Sequence, residues 1–158
     1  MRPLNKESGL TLIEIILVIA VSVGIIITAT RYYISTRLNA NVESAIAQTK
    51  ETVQLSYEWL NQQPQANFAG NGPTQTTISN QQLINSNFVT QKQLQGPWPN
   101  SNLTVSPDPQ DASHLRIAYA NIPTSACLNL THRLENVVYN QQQSSPTACQ
   151  QHQYYGVF

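Results

Sequence analysis

Hydrophobic residues are distributed along this chain in two ways. From Leu10 to Ala29 they run almost unbroken, and Glu14 is the single charge in those twenty positions. Past Arg31 they thin to a stripe at helical spacing: Ile34, Leu38, Val42, Ile46, Val53, Tyr57 and Leu60, with the small Ala45 and Thr49 between them. Arg37, Asn41, Glu51 and Glu58 lie largely off the stripe. No proline occurs between Leu10 and Gln63, and Pro64 supplies the stop. The pattern predicts one helix from about Thr11 to Gln62, on the order of 80 Å long. Its first half is apolar all round and long enough to cross a hydrocarbon core of about 30 Å. Its second half is amphipathic and is expected to pack its stripe on its own domain; a coiled-coil arm is the alternative. Gly24 and Ser22 are where the first half can thin or locally melt.

The pattern changes after Pro64. "PQANFAGNGPT", residues 64–74, reads as a loop by its Pro, Gly and Asn content. Ile78, Leu83, Ile84 and Phe88 fit one or two short helical turns. "GPWPN", residues 96–100, predicts a rigid turn whose Trp98 packs against the domain rather than binding a ligand. Strand signals follow: Leu103 and Val105 alternate in residues 102–106, and Leu115, Ile117, Tyr119 and Asn121 alternate in residues 114–122. A helix is expected over residues 123–138, capped by Thr124 or Ser125, with Ala126, Cys127, Leu130, Leu134, Val137 and Val138 as its apolar positions. "YYGVF", residues 154–158, predicts a last strand. The sum is an α+β fold: a long N-terminal helix against a small antiparallel sheet, with one further helix.

Composition narrows the functions. Lys plus Arg and Asp plus Glu number 8 each, and charged residues make up only 10%. About a fifth of the chain is Asn or Gln, mostly after position 60, a hydrogen-bonding surface with few ion pairs. Beyond the stripe the only basic residues are Lys92, Arg116 and Arg133, so no cationic track exists to neutralise phosphates and no nucleic-acid partner is expected. Paired carboxylates, a nucleophile elbow and a phosphate loop are all missing, so the chain reads as a non-enzyme with no cofactor. His114, His132 and His152 are scattered, and no metal is expected. Asn102 and Asn129 each begin a glycosylation sequon. Cys127 and Cys149, beyond a membrane segment, read as one disulfide in an oxidising compartment, with two buried free thiols as the alternative.

What fits least is Glu14. A carboxylate near the start of a spanning helix costs a few kcal/mol. An ordinary secretory signal peptide and a plain signal anchor both leave it unexplained, and "TAT" at Thr28 to Thr30 is a poor cut site. A leader cut between Gly9 and Leu10 would keep the apolar run in the mature protein. Here the sequence resembles the type IV pilin family and its pilin-like secretion relatives, through Gly9, Leu10, Thr11, Leu12, Ile13 and Glu14 followed by the apolar run. Weaker similarities point to the type IVb branch, the bundle-forming and toxin-coregulated pilins. They are "ISNQQLINSNFV" before a glycine-proline turn, "SAC" opening a helix, a late second cysteine, and Leu10 after the cut. The nine-residue leader is short for that branch. A mid-helix proline that many relatives carry is absent.

The resemblance implies that a prepilin peptidase cleaves after Gly9 and methylates the new amino terminus of Leu10. Glu14 would then meet the amino terminus of a neighbouring subunit and set assembly register. Such a buried pair fixes stagger more than it adds net stability. The alternative is that Glu14 snorkels to headgroups or caps its own helix. The Cys127–Cys149 bridge would tie the C-terminal region that forms much of a filament surface. The expected organisation is a leader over 1–9, a transmembrane and filament-core helix over 10–30, an amphipathic helix half over 31–62 and a globular head over 63–158. The expected function is that of a pilus subunit, held in lipid at the bacterial inner membrane and then polymerised with itself into an extracellular filament. The filament would serve adhesion, aggregation, motility or cell contact. Its partners would be the peptidase, an assembly platform and an ATPase. The alternatives are a minor pilin, a pseudopilin of a type II secretion or DNA-uptake system, and a monomeric membrane-anchored binding protein.

Overall fold

The protein is described by a computed structural model covering residues 11–70, 75–139, 149 and 151–158. It divides into two units, residues 1–37 and 38–158. Helix α1 spans Leu12–Asn61, within one residue at each end of the helix that the hydropathy pattern predicts. The first unit, among its described residues, consists of the opening turns of α1.

The second unit is α+β. Its elements after α1 are α2 (Asn80–Asn85), a 3-10 turn (Gln91–Leu94), β1 (Asn102–Pro107), β2 (Leu115–Ala120), α3 (Thr124–Leu134) and β3 (Gln153–Val157). The strands form one antiparallel sheet in the order β1-β2-β3. Register sets Leu103 opposite Tyr119 and Val105 opposite Ile117, then Tyr119 opposite Tyr154 and Ile117 opposite Gly156. Because side chains alternate faces, this places Leu103, Val105, Leu115, Ile117, Tyr119 and Tyr154 on one face, and all six are buried. They share a core with Val42, Ala45, Ile46 and Trp59 of α1 and with Ala126, Leu130 and Leu134 of α3. Trp98 is buried and meets Tyr119 edge to face, 6.5 Å between ring centroids, as the rigid turn predicts.

Three expectations need correction. The predicted stripe starts too early, since Ile34 is exposed and Leu38 only half-buried. The buried seam of α1 follows it from Val42 through Thr49 and then shifts by one residue, to Thr52, Ser56 and Trp59. Trp59 is fully buried, while Val53 and Leu60 flank it half-buried and Tyr57 is exposed on one side. The largest side chain wins the central position. The Ser56 hydroxyl can be buried there because its Oγ donates to the Thr52 carbonyl at 2.7 Å. The second correction is the cap of α3, which is Pro123; neither Thr124 nor Ser125 caps it with a side chain. Third, α3 stops at Leu134, short of Val138. The Leu134 carbonyl accepts from the N–H groups of Val137 and Val138, and the Tyr139 N–H then donates to Val157 on β3 at 2.7 Å. The chain is drawn onto the sheet, and Val137 is left exposed.

Candidate functional site: an apolar helix carrying one acid

Twelve large aliphatic side chains between Leu12 and Ile27 are exposed, from Ile15 at 46% to Leu12 at 78%. They occur at nearly every position, so they cover all sides of α1 rather than a stripe. The most apolar window of the helix has a mean hydropathy of 2.8, and none of it is buried by the rest of the chain. A helix hydrophobic all round requires an apolar surrounding, and this one is long and apolar enough to cross a membrane. Its hydroxyls are compatible with such a setting. Ser22, Thr28 and Thr30 donate to the carbonyls of Val18, Gly24 and Ile26 at 2.7, 2.9 and 2.8 Å. Each hydroxyl is therefore satisfied within its own helix and presents no unpaired donor to a dry environment.

Glu14 lies in the first turn. One oxygen of its carboxylate accepts from the Thr11 N–H at 2.8 Å and from the Thr11 hydroxyl at 3.0 Å. The Glu14 N–H returns a long bond to Thr11 Oγ1 at 3.4 Å. This is a reciprocal capping box, which uses one of the orphan donors at a helix start. Of the roles weighed for Glu14, the geometry of the single chain displays this one. Thr11 is a residue of the site that the sequence reading passed over; its T-x-x-E spacing ahead of an apolar run was the available signal. Gly9 and Leu10, the expected cleavage and methylation positions, lie outside the described residues.

In the second unit, Cys127 and Cys149 form a disulfide with a Cα–Cα distance of 5.4 Å. Both are buried. Cys127 sits in the first turn of α3, and the Cys149 carbonyl accepts from the His152 N–H at 3.2 Å just before β3. The bridge thus joins the start of α3 to the entry of the last strand, across a sequence separation of 22.

The histidines remain apart. His114 Nδ1 is 3.0 Å from Asp111 Oδ2 and its ring stacks on Tyr139 at 3.8 Å. His132 pairs loosely with Glu135 at 4.0 Å, and His152 Nδ1 meets the Ile122 carbonyl at 3.1 Å. Among the described residues no three His, Cys, Asp or Glu side chains gather as a metal site would require. Hydrogen bonds from the Ser113 hydroxyl and N–H, and then the neighbouring His114, hold the Asp111 carboxyl below its ordinary value. Burial pushes the Tyr119 and Tyr154 phenols far above theirs. Both are core groups, packed where charge is disfavoured. The chemistry gathered here is that of apolar burial, one capped acid and one covalent staple. Comparison with protein-family models, curated proteins and solved structures finds no match to this chain.

Proposed function

We propose that the chain is a structural, non-catalytic subunit of a type IV pilus of the type IVb-like kind. It is held in the inner membrane by the first half of α1 and, after cleavage between Gly9 and Leu10 and methylation of Leu10, is assembled into an extracellular filament. The observation that carries this reading is the exposure of twelve aliphatic side chains around one helix in a chain whose second compact unit is stapled by a disulfide. Covering those side chains stabilises the system by on the order of 20 kcal/mol. One carboxylate costs a few kcal/mol. The run therefore tolerates Glu14 in lipid and again among packed helices, provided the acid keeps a partner. Thr11 is that partner in the single chain. In a filament, the amino terminus of a neighbouring subunit would replace or supplement it.

A second reading is favoured by the capping box itself. An acid already satisfied within its own first turn needs no neighbour, and a monomeric membrane-anchored protein would display the same geometry. Glu14→Ala separates the two. A filament subunit carrying this change still inserts and is cleaved, but shearing of cells releases several-fold less polymer. Normal polymer release from the variant removes the register role. Retention of the wild-type protein in the membrane fraction after shearing, with no polymer, supports the anchored monomer.

A further inference from the structure

The apolar run ends in a cluster that the proposed function does not use. Arg31, Tyr32, Tyr33 and Arg37 follow Ala29 and Thr30, and all four are exposed. Tyr32 and Tyr33 expose 74% and 61% of their surface. The two rings are placed differently. Tyr32 shares a depression with Val21, Gly24, Ile25, Thr28 and Ala29, so its ring lies back along the apolar run, as side chains on a helix lean toward the N-terminus. Tyr33 instead sits under the Arg37 guanidinium, 5.9 Å from its ring centroid. One ring lines the apolar run, and the other is paired with a cation that suits phosphate.

From this placement we infer that Tyr32, Tyr33, Arg31 and Arg37 form a lipid-headgroup belt that fixes the depth of α1, so that Glu14 sits in the opposite headgroup layer and not in the hydrocarbon. The inference rests on the membrane-spanning half of the proposed function. Its measure is distance along the helix. From Glu14 to Tyr33 the rise is about 28 Å at 1.5 Å per residue, close to the hydrocarbon thickness of about 30 Å. Tyrosines favour the interface because they carry an apolar body and a polar tip, and arginines there attract anionic lipid. The occupant that matches this cluster is therefore the phosphate layer of a bilayer. A second copy of the chain would bring the same cations against each other.

The chain suits a labelling test because both of its native cysteines are held in the disulfide. Ile13→Cys, Val23→Cys and Ile34→Cys, made one at a time, each add a single thiol. The full chain is reconstituted at high dilution in vesicles of equal parts phosphatidylethanolamine and phosphatidylglycerol and treated with a water-soluble maleimide on both faces. The expected profile is fast labelling at positions 13 and 34 and at least tenfold slower labelling at position 23. Replacing the belt, with Tyr32→Ala, Tyr33→Ala, Arg31→Gln and Arg37→Gln together, should slow labelling at position 34 at least threefold as the helix slides inward. An unchanged profile in the belt variant overturns the inference while leaving the spanning helix in place. Equal labelling at positions 13, 23 and 34 in the parent overturns the spanning helix itself. Protection of position 34 that grows with protein-to-lipid ratio also overturns the inference, because a second copy then covers the belt.

Discussion

Tyr119→Phe removes one hydroxyl from the joint between α1 and the sheet. The phenol donates toward Gln48 Oε1 at 2.9 Å or the Ala45 carbonyl at 3.1 Å, with Thr49 Oγ1 3.4 Å away. Ala45 loses little, since Thr49 Oγ1 already donates to its carbonyl at 2.8 Å. Gln48 is half-buried, so water can replace part of what it loses. The ring remains and keeps its edge contact with Trp98, so no cavity opens. The expected cost is that of one net hydrogen bond and a partly unsatisfied amide, about 1–2 kcal/mol. A cavity at a fully buried aromatic would cost about 3–5 kcal/mol. Both tryptophans of the chain, Trp59 and Trp98, lie in the second unit and are buried, so urea unfolding followed by their fluorescence reports on that unit alone. The same variant carries a pH test. Burial raises the Tyr119 pKa, so the native state keeps a proton that the unfolded chain gives up near pH 10. The stability linked to that proton is complete below about pH 10 and is lost as pH climbs above it. Tyr119→Phe should therefore lose stability less steeply in alkali than the parent, with Tyr154 and Tyr57, whose pKa values burial also raises, contributing to the remaining slope. A loss at neutral pH below about 0.3 or above about 3 kcal/mol, or an identical alkaline slope, would refute this account of the joint.

The other expectations are these. The paired change Cys127→Ser and Cys149→Ser should cost about 3 kcal/mol in the same unfolding assay, and thiol labelling of the denatured, unreduced parent should find no free cysteine. Trp59→Ala should cost about 3–5 kcal/mol by circular dichroism and Leu60→Ala clearly less; equal losses would restore the unshifted stripe. Ser113→Ala should raise the Asp111 pKa toward its ordinary value in an NMR titration. The stability linked to Asp111 is present at neutral pH and disappears as pH falls through the depressed pKa, so the variant should lose less stability in acid. An Asp111 pKa that does not move in Ser113→Ala would contradict the assignment of cause.

Long-range periodicity made α1 legible almost to the residue, because a proline-free apolar run followed by a helical stripe has few competing structures. Alternation likewise placed the inward faces of β1 and β2, since a one-residue slip would bury their polar sides. What the sequence hid were features decided by local satisfaction of polar groups. Ser56 looks like a surface residue, yet its own helix supplies the partner, the Thr52 carbonyl, that lets its hydroxyl be buried near Trp59. The 3-10 turn at Gln91–Leu94 is fixed by a Thr90–Gln93 capping box four residues long, too short for any periodicity to register. The end of α3 depended on Tyr139 finding β3, a contact distant in sequence. At the candidate site the acid was legible by its incongruity. Thr11 was legible only through its T-x-x-E spacing to Glu14 ahead of the apolar run, a weaker signal than the acid itself.

The most direct test of the central claim, that the apolar half of α1 is kept and used for burial in the mature protein, is the intact mass of the polypeptide released by shearing cells. The account predicts a chain beginning at Leu10, heavier by the one CH2 that N-methylation adds and lighter by the two hydrogens lost to the Cys127–Cys149 bridge. A released chain that begins beyond Thr30, without the apolar run, would contradict it.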